Sequence, residues 1–95
     1  MVKIIWTDFA IEDLKFIHGY ISKDSIASAD KLIERIIGRV DQLEVFPNSG
    51  RIVPEFNSEL IRELIAGRYR IVYKVNNDHI GIVRVHHSSM ELDNI

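Results

Sequence analysis

The apolar period of this chain changes once, at Gly50. Before it, Ala10, Leu14, Ile17 and Ile21 recur at helical spacing, and so do Ala29, Leu32, Ile33, Ile36, Ile37, Val40 and Leu43. After it the period falls to two: Tyr69, Ile71, Tyr73 and Val75 share one face of a strand, while Arg68, Arg70, Val72 and Lys74 share the other. A single switch of this kind puts helices first and a sheet second. With 95 residues there is room for one domain, 1–95, and one core.

Local signals set the boundaries. Val2 to Trp6 is rich in β-branched and aromatic residues and reads as an opening strand, with Trp6 a core anchor rather than a base-stacking platform. Thr7 is placed to cap the first helix and Ser25 the second, with a short break from Ser22 to Ser25 between them. So short a link predicts an antiparallel helical hairpin. Pro47-Asn48-Ser49-Gly50 ends the second helix. Arg51 to Phe56 is expected as a loop or edge segment, because Pro54 has no amide to give to a ladder. Strands follow over Leu60–Ala66, Arg68–Val75 and His79–His87, the last two joined by an Asn77-Asp78 turn. A two-residue turn would set Val75 opposite Ile80, Tyr73 opposite Ile82, Arg70 opposite Val85 and Arg68 opposite His87. The fold class is therefore α+β, with order β-α-α-β-β-β: a small antiparallel sheet carrying the hairpin on its Tyr69/Ile71/Tyr73 face and leaving the arginine face open. Ser88 to Ile95 reads as a short tail.

Composition narrows the function classes. The content is 46% hydrophobic, which argues against disorder. There is no cysteine, hence no disulfide framework and no thiolate zinc site, in keeping with a reducing cytoplasm. Neither a signal peptide nor a membrane-length apolar run is visible. His86 and His87 are adjacent and would point to opposite faces of a strand, so no metal or cofactor site is expected. No glycine-rich phosphate loop occurs, and no serine stands in a nucleophile elbow.

Charge is more telling. The formal net charge is −2, but residues 50–90 hold six basic and four acidic residues, and five of the six are arginine. Arginine suits planar, bidentate contact with phosphate or carboxylate. Arg70 sits mid-strand, where a fixed charge is costly unless it meets water, a ligand or a carboxylate. The two readings are a working anion surface and a structural ion pair, for instance Arg70 or Arg62 with Glu63.

The ordered set Trp6-Thr7, Ala10/Leu14/Ile17/Tyr20-Ile21, Phe46-Pro47-Asn48-Ser49-Gly50-Arg51, Arg62-Glu63-Leu64, Tyr69-Arg70-Ile71-Val72-Tyr73 and Ile82-Val83-Arg84-Val85-His86-His87 resembles the RelE/ParE superfamily of bacterial toxins. The resemblance spans nearly the whole chain. It implies the toxin of a two-gene toxin–antitoxin module, held in a hetero-oligomer by an antitoxin whose acidic, amphipathic segment folds onto it. It implies one of two actions: poisoning of DNA gyrase by ParE-like contact, or cleavage of mRNA on the ribosome by a RelE-like nuclease. For the nuclease, the resemblance points to Arg70, Arg84 and His87 as catalytic. For contact, it points to Arg62, Glu63, Arg68, Arg70 and Lys74 as the binding set. The lysines that precede the arginine in the nuclease are replaced by Ile61 and Glu63, and its C-terminal Arg and Tyr by Ser-Ser-Met-Glu-Leu. Arg62-Glu63-Leu64 followed by Tyr-Arg-Ile is closer to the ParE-like pattern, although Met90 stands where that pattern usually carries an arginine. A third reading is an inactive module that only binds an antitoxin.

Overall fold

A computed structural model of the protein describes residues 1–89. Met90 and the rest of the expected tail lie outside the described residues. The elements are β1 (Lys3–Trp6), α1 (Asp8–Ser22), α2 (Ile26–Asp41) with a 3-10 turn at Gln42–Glu44, β2 (Arg51–Ile52), β3 (Ile61–Ala66), β4 (Tyr69–Val75) and β5 (His79–His87). Both helices begin where side-chain oxygens can serve free amides. Thr7 accepts from the Ala10 N–H at 3.2 Å and Ser25 from the Ser28 N–H at 3.1 Å.

The five strands form one sheet in the order β1-β5-β4-β3-β2. Its strands do not all run antiparallel, as the sequence suggested. β1 lies parallel to β5, with Lys3 beside His79 and Trp6 beside Ile82, and the remaining pairs are antiparallel. The helical hairpin crosses from β1 at one edge of the sheet to β2 at the other, and the later strands fill the space between, so the first strand lies beside the last, a pairing that local pattern cannot reveal.

The hairpin covers the expected face. Ile71 and Tyr73 of β4, Leu64 and Ala66 of β3, and Ile80, Ile82 and Val85 of β5 pack with Ala10, Ile17, Ile36 and Val40 of the helices. Tyr73 is fully buried, and its hydroxyl accepts the Gly50 N–H at 2.9 Å. That approach explains the glycine: a Cβ at position 50 would lie 2.6 Å from both the Glu63 carbonyl oxygen and the Tyr73 hydroxyl. The opposite face is not open. The segment after β2 folds over it, and Val53 and Val72 form a second small core with Phe56, Ile61 and Val83.

The β4–β5 register departs from the simple hairpin. Val75 faces Ile80 and Tyr73 faces Ile82 as expected, but Val72 faces Arg84, so Val83 is an extra residue. Beyond this bulge Arg70 faces His86, not Val85, and Tyr69, not Arg68, faces His87. A one-residue slip exchanges faces. Val85 therefore joins the core under the helices.

Candidate functional site: the arginine clusters and the α1–β5 groove

The expected basic surface is divided among three environments. The first is a closed ion cluster on the sheet face away from the helices. Glu63 is 1% exposed and Arg70 6% exposed, on adjacent strands. The Arg70 Nε donates to Glu63 Oε1 at 2.5 Å. Its Nη1 and Nη2 donate to Glu55 Oε2 and Oε1, each at 2.8 Å, a fork-to-fork pair. Glu63 Oε2 accepts from Arg51 Nε at 2.6 Å. The contact with Glu55, opposed by desolvation and reinforced by Glu63, raises the Arg70 pKa above its ordinary value. Arg70 and Glu63 thus form a structural ion pair, and the expectation of an open Arg70 face does not hold. Glu55 was not singled out in the sequence. It lies 15 residues before Arg70 in an irregular segment, and nothing in its spacing signals the contact.

Arg62 serves the backbone. Its Nε donates to the Glu59 carbonyl at 3.0 Å and its Nη1 to the Gly50 carbonyl at 2.9 Å. This pins the Pro47–Gly50 loop against β3. Arg68 and Lys74 are exposed, Arg68 in the β3–β4 turn and Lys74 near the far end of β4.

The third environment joins α1 to β5. Asp13 accepts from Arg84 Nε at 2.9 Å and Nη2 at 3.0 Å, and also from the Val85 N–H at 2.9 Å. β1 ends beside Ile82, so Asp13 takes the place of a strand neighbour for the next stretch of β5. The Arg84 guanidinium lies 5.6 Å from the centre of the Phe9 ring, and Asp13 raises its pKa. Beside this pair runs a groove of about 260 Å³, lined by Asp13, Phe16, Ile17 and Arg84 to His87. His87 turns toward the helix side and meets Tyr69 edge-on at 5.5 Å. His86 stands across from Arg70, and burial, with Arg84 second, pushes its pKa below the ordinary value.

The candidate nuclease residues therefore do not converge. Arg70 is enclosed by carboxylates on one face, Arg84 is clamped to α1 at the edge of β5, and His87 lies on the helix side. Among the described residues no group of three or more His, Cys, Asp or Glu could hold a metal ion. Nor, among the described residues, is any helix long and apolar enough to cross a membrane.

A further surface emerges on α1. Phe9, Phe16 and Tyr20 are 71%, 75% and 64% exposed. They recur seven and four residues apart, off the Ala10/Leu14/Ile17/Ile21 stripe, and form an outward aromatic ridge beside the groove. That spacing was visible in the sequence, but the stronger inward stripe masked it.

The family profile described as the ParE toxin of the type II toxin–antitoxin system parDE matches residues 4–92. The chain belongs to the ParE toxin family. It is therefore a toxin of the type II toxin–antitoxin class. Toxin RelE2 of Caulobacter vibrioides is 30% identical over 89 residues, covering 94% of this chain and 98% of that toxin. In fold, the chain resembles the chromosomal ParDE toxin–antitoxin system from P. aeruginosa, with a TM-score of 0.75 at 24% identity, covering 92% of this chain and 96% of that one. It also resembles the YoeB–YefM complex from Staphylococcus aureus, with a TM-score of 0.58 at 20% identity, covering 92% and 97%. In this chain the Arg62-Glu63-Leu64 and Tyr69-Arg70-Ile71 segments lie on the paired strands β3 and β4, where Glu63 bonds Arg70 and Arg62 bonds the Gly50 carbonyl.

Proposed function

We propose that this ParE-family toxin acts in the cytoplasm by protein contact, binding and poisoning DNA gyrase, and that a cognate antitoxin neutralises it. The observation that carries the reading is the dispersal of Arg70, Arg84 and His87. Phosphodiester cleavage without a metal needs a base, a cation on the phosphate and an acid within reach of one phosphorus. Here the two arginines are already held by carboxylates and the histidine lies on another face. The accessible features are those of a binding surface: the Phe9/Phe16/Tyr20 ridge, the groove beside β5, and the exposed Arg68 and Lys74. An acidic, amphipathic antitoxin segment matches this combination of aromatic ridge and exposed cations. Purified protein is expected to inhibit gyrase supercoiling or to trap cleaved DNA. No effect at micromolar excess would overturn the reading.

One observation favours the ribosome-dependent mRNA endonuclease as a second reading. His86 stands cross-strand to Arg70, so displacement of the covering segment would bring an imidazole and a guanidinium to one surface. Primer extension after induced expression would then show new 5′ ends near codons, and Arg70→Ala would abolish them. Expression without growth arrest would favour the inactive antitoxin-binding module instead.

A further inference from the structure

The second helix sorts its exposed charges into two rows. Lys31, Arg35 and Arg39 recur four residues apart on one, and Asp30, Glu34 and Asp41 fall on the next. Contacts fix which way each row looks. Asp30 Oδ1 meets His18 Nε2 of α1 at 2.7 Å, so the acidic row faces the other helix. The Arg39 Nε donates to the Ile65 carbonyl of β3 at 3.2 Å. Arg35 reaches over Gly67, its Nη1 lying 3.4 Å from where a Cβ at that position would stand. The basic row therefore runs along the β3 side of α2 toward the β3–β4 turn. That two-residue turn, closed by the Ala66–Tyr69 pair and led by Gly67 at φ 59°, holds Arg68 exposed at its tip.

These cations are not used by the fold as the other arginines are. Arg51, Arg70 and Arg84 each meet a carboxylate, and Arg62 meets carbonyls. Lys31, Arg35, Arg39 and Arg68 form no ion pair among the described residues. Like charges four apart on a helix repel, so the row costs stability that no carboxylate returns. Nor is it a by-product of basic composition, since the whole chain carries a net charge of −2. From Lys31 to Arg39 the row is about 12 Å long, two steps of four residues at 1.5 Å each. A single small anion would touch one part of it, whereas a run of phosphates would meet it along its length. Single strands are held by stacking on aromatic rings, and α2 has none. The exposed rings Phe9, Phe16 and Tyr20, which would anchor an amphipathic peptide, lie on α1.

We propose that Lys31, Arg35, Arg39 and Arg68 form a docking surface for the phosphate backbone of duplex DNA, held by charge and without regard to sequence. The choice of DNA over duplex RNA rests on the gyrase reading, in which the toxin works beside the DNA that gyrase holds.

The test measures binding of the purified chain to a fluorescent DNA duplex by anisotropy, without gyrase, across a salt series. Four phosphate contacts give an expected slope of log K against log salt of about −3 to −4. The triple variant Lys31→Gln, Arg35→Gln, Arg68→Gln removes three of them and spares Arg39, which serves Ile65. Its slope is expected to shrink toward about −1, with affinity at low salt down about tenfold or more. A control variant, Lys3→Gln, Lys15→Gln, Lys23→Gln, removes as much charge from β1 and α1 and is expected to keep the wild-type slope. All the changed side chains are exposed, so both variants should melt no lower than the wild type beyond the small effect of surface changes. If the control loses as much affinity as the triple variant, the surface is refuted. If duplex RNA of the same length binds more tightly than DNA, the DNA assignment is overturned. If the triple variant binds DNA unchanged but loses the product of the adjacent reading frame, the row belongs to a protein partner and the proposal falls. Gyrase inhibition by a wild-type chain that binds no DNA at low salt would refute the surface and leave the gyrase reading standing. DNA binding with the expected slopes but no effect on gyrase would do the reverse.

Discussion

At the scale of single residues, the same arginine can be a ligand site or a structural part, and its neighbours decide which. Arg70 is held by two carboxylates, one of them almost fully buried. Breaking such a pair is costly because it leaves an uncompensated charge inside the protein. Glu63→Ala is expected to lower stability by roughly 3–5 kcal/mol, read from urea denaturation. The double change Glu63→Leu with Arg70→Met should recover most of that loss, since it removes both buried charges together. A single change as harmless as the double one would contradict this account. His86 gives a pH dependence of known sign. Its pKa is depressed in the folded chain by burial and by Arg84 and Arg70, with Asp13 opposing. Below its ordinary value of about 6.5 the unfolded chain takes up the proton more readily than the folded one. The stabilisation is therefore present above pH ~6.5 and lost as pH falls through the depressed pKa. Denaturation midpoints measured from pH 7 to 5 should fall less steeply in His86→Asn than in the wild type.

At the scale of elements, two contacts that are remote in sequence complete the sheet. Asp13 bonds both Arg84 and the Val85 amide, 71 and 72 residues away. It takes one main-chain group of the sheet edge where β1 stops, the Val85 N–H. Asp13→Ala is expected to cost about 3 kcal/mol, the range for charge-assisted bonds with a stranded amide. Asp13→Asn should cost less, because it keeps an acceptor for Val85. A double-mutant cycle with Arg84→Ala separates the two parts. At the other edge, Gly50 lies against Tyr73 and Glu63. Gly50→Ala drives a methyl group to within 2.6 Å of both, and an overpacking loss of about 1–3 kcal/mol should appear as a lower melting temperature.

At the scale of the whole molecule, the charge cluster and the exposed aromatic ridge of α1 belong to different parts of the surface. One face of the sheet is closed by Val53–Phe56, the other by the hairpin, and the exposed rings and the groove gather along α1 and the end of β5. Replacing Phe16 and Tyr20 together by Ser should change stability by no more than about 0.5 kcal/mol, since both rings are exposed. It should weaken the antitoxin complex at least tenfold in a titration, as loss of aromatic anchors does. Undiminished binding would move the contact elsewhere. The elements themselves were legible in the chain. The period change at Gly50, the Thr7 and Ser25 caps and the alternation of Tyr69, Ile71 and Tyr73 report forces acting within a few residues. The ordered motifs also carried the family. The parallel pairing of β1 with β5, the Val83 bulge and the covering of Arg70 by Glu55 were not legible. Each depends on where segments far apart in the chain come to rest, and a one-residue bulge leaves no trace in alternation until the partner strand is in place. By itself, then, the sequence determined the elements, the buried face and the toxin family, because those follow from local propensity and ordered pattern. Only the tertiary structure decided that Arg62, Arg70 and Arg84 are tied into the fold and that the end of β5 lies beside α1, because main-chain pairing and charge burial are settled between strands, not within them.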